Sequence, residues 1–447
     1  MVIRDVDFDP FYIKISGKWV YIDEKMLKSH PGGMAITTYK GKDATTAFHT
    51  FHPGSKKAYK TLQKLLAEQK PVIPPPEKPE VTFQDTEINM GVYDKTEEEA
   101  KQITENFNKL RYKVQKLELL KGDTSFFVSK FFQCVGLLLA GFFLQYHGYY
   151  IPSALFMGLA WQQLGWMIHE YCHHQHFENH YWNDLMSYVV GNLLQGFSSG
   201  GWKEQHNVHH AATNVVGRDG DLDLIPFWAT VVTDLTIIYK NSPAVFQIVP
   251  YQHIYWTFAL PFLRLSWLLQ SINFVIRMET SPFDIHRKRA RYEQITLMLH
   301  WLWVVLQLYF LPDWNTRVTY FLVSQLFGGF LLAHVVTYNH YSTDKFSNQS
   351  NIMNNYACLQ LYTTRNMRPG VFIDWLWGGL NYQIEHHLFP TMPRNNLCKV
   401  MPLVKQFCAE NNLPYMVDDY FTGWKLEIEQ FARVARVAEK MKTKFQL

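Results

Sequence analysis

Three short stretches of this chain are crowded with imidazole side chains. In His206-Asn207-Val208-His209-His210 the histidines stand at i, i+3 and i+4, so a helix would aim all three to one side. Two similar groups lie far off in sequence, His169-Glu170-Tyr171-Cys172-His173-His174 and Gln383-Ile384-Glu385-His386-His387. Neutral imidazole is the commonest protein metal ligand. His169, His173, His206, His209, His210, His386 and His387 outnumber the needs of one ion and point to a polynuclear centre. Two irons with positions open to oxygen fit such nitrogen-rich ligation. His340, in Tyr338-Asn339-His340, is the natural eighth ligand, while His334 divides between a supporting role and packing.

Read alone, His169-Glu170-x-x-His173 is also the metalloprotease pattern, with two zinc ligands and a general-base Glu. That reading leaves the other clusters idle, and zinc has no redox role. A carboxylate di-iron bundle needs two Glu-x-x-His motifs, and only Glu170-x-x-His173 stands out here. Gln383 sits where a further His is expected; its amide offers weak ligation, a hydrogen bond to bound water, or an open position. Asp219, Asp221, Asp223 and Glu385 are candidates to orient imidazole N–H groups, against a plain hydrated loop. His174, His176 and His180 read as outer or surface residues and Cys172 as packing, while His147, His253, His286 and His300 stand without cluster neighbours.

A second chemistry lies near the N-terminus. Phe11 to Ile22 alternates in short runs split at Gly17, a hairpin signal, and is followed by Ser29-His30-Pro31-Gly32-Gly33 and then by Phe48-His49-Thr50-Phe51-His52-Pro53-Gly54. These two segments resemble the cytochrome b5 haem-binding domain. The resemblance implies haem b held by His30 and His52, with His49 the rival for the second position. Small residues beside each let a porphyrin approach the backbone.

The elements that must position these groups are apolar. Phe126 to Tyr146, Tyr150 to Ile168, Tyr292 to Leu311 and Val318 to Tyr338 each approach the ~20 residues a membrane-crossing helix needs, and they form two tight hairpins. The basic run His286-Arg287-Lys288-Arg289-Ala290-Arg291 precedes the third, and Lys121 and Lys130 sit at the start of the first, which predicts a cytosolic face for both termini and all clusters. Trp256 to Ile276 is interrupted by Pro261, Arg264 and Gln270 and reads as interfacial or buried, since one extra span would separate the clusters. Pro71 to Pro79 reads as a semi-rigid spacer, and Thr96 to Leu120 as a helix with Ile103, Phe107, Leu110 and Val114 on one face. The expected division is 1–70 for the haem domain, 71–125 for linker and amphipathic helix, and 126–447 for the membrane domain. Five scattered cysteines suit reduced thiols, the first residues lack a secretory layout, and a formal charge of +4 without a basic stripe argues against nucleic acid.

In order, His-Pro-Gly-Gly, His-x-x-x-His, His-x-x-His-His and Gln-x-x-His-His make the whole chain similar to front-end fatty acyl desaturases with an N-terminal cytochrome b5 domain. Trp375-Leu376-Trp377-Gly378-Gly379-Leu380-Asn381-Tyr382 and Met392-Pro393-Arg394 resemble nematode Δ5 and Δ6 members, and Ser198 to Gln205 with Gly217-Arg218-Asp219-Gly220 favours Δ5. The first box carries Glu170 where the family commonly has Asp. The resemblance implies a small α+β haem domain followed by an all-α integral membrane domain with four transmembrane helices and a di-iron site. It also implies O2 as co-substrate, electrons from NADH-cytochrome b5 reductase, and residence in the endoplasmic reticulum membrane. The implied reaction is Δ5 desaturation of twenty-carbon polyunsaturated acyl chains, dihomo-γ-linolenoyl to arachidonoyl. A Δ6 desaturase, a related lipid hydroxylase and the membrane zinc protease are the alternatives.

Overall fold

A computed structural model describes residues 8–68 and 88–444; the proline-rich run at 71–79 falls outside them. The N-terminal hairpin pairs Phe11–Ile15 with Lys18–Ile22, and its alternation buries Phe11, Ile13, Ile15, Val20 and Ile22 on one face. Asp23 then caps the helix Glu24–Ser29 by accepting from the Met26 N–H at 2.7 Å. The 3-10 helix Gly33–Tyr39 and the helices Thr45–Phe51 and Lys56–Glu68 complete a small α+β unit, as the hairpin signal and the cytochrome b5 resemblance lead one to expect.

Thr96 and Glu99 form a reciprocal capping box that starts the helix Glu97–Lys116. Its apolar stripe Ile103, Phe107, Leu110 and Val114 is buried against protein: Phe107 meets Phe389 at 5.7 Å and Phe407 at 5.8 Å between ring centres. This helix therefore joins the haem domain's core to the segments that follow the third histidine box.

The larger unit is mostly helical. Its central element is Tyr150–Cys172, buried almost continuously from Met157 onward and packed between Thr124–Tyr146 and Trp314–Tyr338. Three helical stretches among the described residues are long and apolar enough to cross a membrane: Thr124–Tyr146, Pro243–Thr280 and Trp314–Tyr338. This differs from the four expected, and the reason lies in particular side chains. Tyr150–Cys172 carries Gln162, Gln163, His169 and Glu170, which face the protein interior, and Asp284–Tyr309 opens with a run of charges. Pro243–Thr280, read from sequence as interfacial or buried, is apolar enough to qualify but is divided into short helices around Pro250 and Pro261. The distal half of Asp284–Tyr309 still shows an exposed apolar face, Ile295, Met298, Leu302, Val305 and Tyr309.

Candidate metal centre

Four helical elements converge on one buried point. His169 and His173 leave the end of Tyr150–Cys172 one turn apart. His206, His209 and His210 share the inner face of the helix Ser199–Ala211, whose start Ser198 caps by accepting from the Gly201 N–H at 3.0 Å. His386 and His387 come from the short helix Gln383–Leu388, and His340 follows directly on Trp314–Tyr338. All eight are at most 9% exposed.

The eight divide into two sets. One nitrogen from each of His169, His173, His206, His210 and His386 lies within 4.8 Å of the others, and those of His209, His340 and His387 lie equally within 4.8 Å of one another. His210 and His387 stack at 4.2 Å and so put the groups side by side. Within the first group His206 Nε2 and His386 Nε2 each approach His210 Nε2 to 3.1 Å. One ring nitrogen has one proton to give at most, so this convergence is not a settled hydrogen-bond network. His173 Nε2, His210 Nδ1 and His387 Nε2 are buried without a hydrogen-bond partner. Buried polar atoms are ordinarily satisfied, and converging neutral imidazoles that lack partners fit bound metal ions.

The far sides of several rings are held. His206 Nδ1 lies 2.6 Å from Asp221, His209 Nδ1 2.9 Å from Asp219, His340 Nδ1 3.0 Å from the Thr363 carbonyl and His387 Nδ1 2.9 Å from Gln360 Oε1. A donor bond at Nδ1 leaves Nε2 with its lone pair facing inward. Burial pushes His386 and His340 down to about 3, and holds His206, His210 and His387 well below the usual imidazole range, each helped by neighbouring histidines. All five are therefore neutral ligand forms at physiological pH. His209 is the exception: burial lowers it, but the Asp219 carboxylate outweighs burial and leaves it raised.

In the N-terminal unit the His30 and His52 rings face each other at 6.3 Å between centres. A metal atom bonded to both at ~2 Å fits between them. His52 Nδ1 is 2.8 Å from the Phe48 carbonyl, which leaves its Nε2 for that role. His49, the rival, is turned to Tyr59, 2.7 Å from its hydroxyl.

The fatty acid desaturase family profile matches residues 147–418, more than half of the chain, and the cytochrome b5-like heme/steroid binding domain profile matches residues 5–70. The chain belongs to the fatty acid desaturase family. It is similar over 99% of its length to the Delta(5) fatty acid desaturase fat-4 of Caenorhabditis elegans, at 61% identity and covering 100% of that protein. It is 48% identical to the Delta(6)-fatty-acid desaturase fat-3 of the same organism, over 97% of this chain and 98% of the other. The Delta(8)-fatty-acid desaturase of Euglena gracilis follows at 36%, over 93% and 94%.

The desaturase has no use for Glu170 as a hydrolytic base. That carboxylate is bound by Arg394 through Nε at 2.6 Å and Nη2 at 2.7 Å, away from the imidazoles. The protease alternative fails on this contact as well as on family. Of the acidic candidates, Asp219 and Asp221 reach the histidines; Asp223 accepts instead from the Gly217 N–H at 3.1 Å, and Glu385 from Tyr415 and Asn366. His334 stays outside both groups, with neither nitrogen bonded and Phe330 and Tyr420 against its ring. Gln383 places its amide nitrogen 2.9 Å from His340 Nε2, while its oxygen accepts from Asn339 at 3.1 Å. Cys172 is buried packing, and His174 lies over His180 beside Lys203 and Asp184. His286 does have partners, Ser281 and Glu204.

Several residues around the candidate centre carry little sequence signal. Trp202 lies 4.0 Å from the His206 ring and 5.3 and 5.5 Å from those of His169 and His173, closing one side. Gln360 and Thr363 come from a segment without periodicity or motif, and only folding brings them to the imidazoles, whereas Thr213 and Asn339 stand next to His-bearing stretches but carry no mark of their contacts to His387 and Gln383. Trp202 alone had a hint, four residues before His206 on the same helix face.

Proposed function

We propose that this desaturase is a front-end Δ5 enzyme acting on twenty-carbon polyunsaturated acyl chains, dihomo-γ-linolenoyl to arachidonoyl. The single observation that carries the metal assignment is the gathering of eight buried imidazoles into adjoining groups of five and three. In this reading one iron is held by His169, His173, His206, His210 and His386, and the other by His209, His340 and His387. His30 and His52 hold haem b. The Δ5 choice is supported by end-to-end similarity to a Δ5 enzyme at 61% against 48% for a Δ6 enzyme.

Iron supplies, when bound, the oxidising power to remove hydrogen from an unactivated methylene pair, which no side-chain acid or base can do. In balance, two carbon–hydrogen bonds and two electrons from the haem side reduce O2 to two waters, with two protons taken up. The chain's own residues set the conditions. Asp219, Asp221, Gln360 and the Thr363 carbonyl fix the ring orientations. Trp202 covers one side of the imidazoles, and the buried core that holds Trp166 and Met167 makes the surroundings of the first box apolar and dry. Asn339 holds the Gln383 oxygen, which sets the Gln383 amide beside His340 of the three-histidine group.

The proposed topology has Thr124–Tyr146, Tyr150–Cys172, Asp284–Tyr309 and Trp314–Tyr338 crossing the bilayer, with both termini and the metal centre on the cytosolic face. Parity supports it. The second and third boxes meet in space, so an even number of crossings separates them, and the exposed apolar face of Asp284–Tyr309 is suited to lipid. Pro243–Thr280 then lies in the interface without crossing. The proposed divisions are a haem domain at 1–70, a linker and amphipathic helix at 71–125, and the membrane domain at 126–447. Residence in the endoplasmic reticulum and reduction by NADH-cytochrome b5 reductase complete the reading.

Yeast expressing the chain and fed dihomo-γ-linolenic or linoleic acid in parallel tests regiochemistry. Arachidonic acid from the first and no γ-linolenic acid from the second is expected; the reverse makes it a Δ6 enzyme, and an oxygenated product a hydroxylase.

A further inference from the structure

The helix Ser199–Ala211 has two working faces. His206, His209 and His210 point to the metal centre, whereas Glu204 and Ala211, seven residues apart and so two turns along one face, point the other way. On that outer face lies the 3-10 helix Gly33–Tyr39, which follows the His30-Pro-Gly-Gly turn of the haem domain. Both ends of the contact are hydrogen-bonded. The Met34 N–H donates to Glu204 Oε1 at 3.3 Å, and the Tyr39 hydroxyl donates to the Ala211 carbonyl at 3.4 Å. The haem-side segment thus runs alongside the stretch that carries all three second-box histidines.

Glu204 is the tight end of this contact. Its other oxygen, Oε2, is 3.3 Å from His286 Nε2, and Ser281 holds the far nitrogen of that ring at 2.8 Å. Gly33 sits directly against the carboxylate: its φ is +57°, and a Cβ built on it would overlap Glu204 Oε2. The Gly33 carbonyl in turn faces His30 Nδ1 at 3.5 Å. A line of contacts therefore runs from His30 through Gly33 to Glu204, two residues before His206.

We propose that Glu204 is a positioning residue that latches the haem-binding loop onto the outer face of the second-box helix, holding the haem side of the chain towards the metal centre. The proposal rests on His30 and His52 as haem ligands, and its test separates the two. In the full-length protein loaded with haem and iron, hydrogen–deuterium exchange is followed in the peptides covering 33–39. Glu204→Ala should speed their exchange by about tenfold or more, the loss expected for a hydrogen bond to a charged group. Glu204→Gln keeps a neutral acceptor for the Met34 N–H and should fall between the wild type and Glu204→Ala. Gly33→Ala approaches from the haem side, changes no residue of the metal domain, and by displacing the Glu204 carboxylate should match Glu204→Ala. Substrate-dependent reoxidation of the dithionite-reduced haem should slow by about tenfold or more in both alanine variants.

Unchanged exchange and reoxidation in both, with the haem band and iron content intact, overturn the latch. Absence of a haem band from the wild-type protein instead overturns the ligand assignment on which it rests.

Discussion

Glu170 and Arg394 form a two-pronged buried ion pair, 2.6 and 2.7 Å long, with side chains 2% and 7% exposed. It joins the first histidine box to the segment that follows the third, so two parts of the metal centre distant in sequence are fixed to each other by charge. Removing one partner of such a pair leaves an uncompensated buried charge, at a cost of ~3–5 kcal/mol. Arg394→Ala is expected to lower the melting temperature sharply and to lose non-haem iron, while the haem band persists. Differential scanning calorimetry and metal analysis of one preparation check both.

Asp219 should act on metal affinity more than on folding. It accepts from His209 and also from the Asn214 N–H at 2.8 Å. Asp219→Asn keeps the shape and removes the charge that raises His209. A loss of about 10–100-fold in iron affinity is expected, read by chelator competition.

The haem site makes a sharper distinction between neighbours. His30→Ala and His52→Ala are expected to abolish haem absorbance, because each removes one of two rings that face each other at 6.3 Å. His49→Ala should keep it, since that ring is bonded to Tyr59. Absorbance spectra of the three proteins decide the matter.

Glu427 gives a pH dependence. It is fully buried on the C-terminal helix, and burial outweighs the neighbouring Thr337 and Trp256 side chains, which favour the carboxylate, and raises its pKa to about 8. A carboxyl raised on folding favours the folded state while protonated, so its contribution is complete below the ordinary carboxyl pKa and is lost as pH rises towards 8. Glu427→Gln should therefore raise the melting temperature at pH 8 and above and flatten its fall between pH 5 and 8. Melting curves across that range would show an unchanged slope if Glu427 were not the cause.

The chemistry was more legible in the sequence than the scaffold. Spacing alone marked His206, His209 and His210, because a helix turns i, i+3 and i+4 to one side and the structure is helical there. The stripe Ile103, Phe107, Leu110 and Val114 was equally plain, and all four are buried. The division into five and three was not legible, since it depends on how four elements meet. Nor was Arg394 as the partner of Glu170, 224 residues away. Composition supports three helical stretches among the described residues where four spans were expected, partly because Tyr150–Cys172 buries Gln162, Gln163 and Glu170 among its neighbours, so its composition understates how well its surroundings suit it. Pro243–Thr280 errs the other way, apolar in composition yet divided in structure. The acidic stretch 219–223 pointed to orienting carboxylates, but only position in space separates Asp219 and Asp221 from Asp223.

The central claim is that eight imidazoles hold two irons. Metal quantification on the purified full-length protein, with haem counted separately by its absorbance, tests it directly. The expected result is two non-haem irons per chain, falling to one or none in His386→Ala with the haem unchanged. A single zinc, or non-haem iron that survives loss of His386, would contradict it.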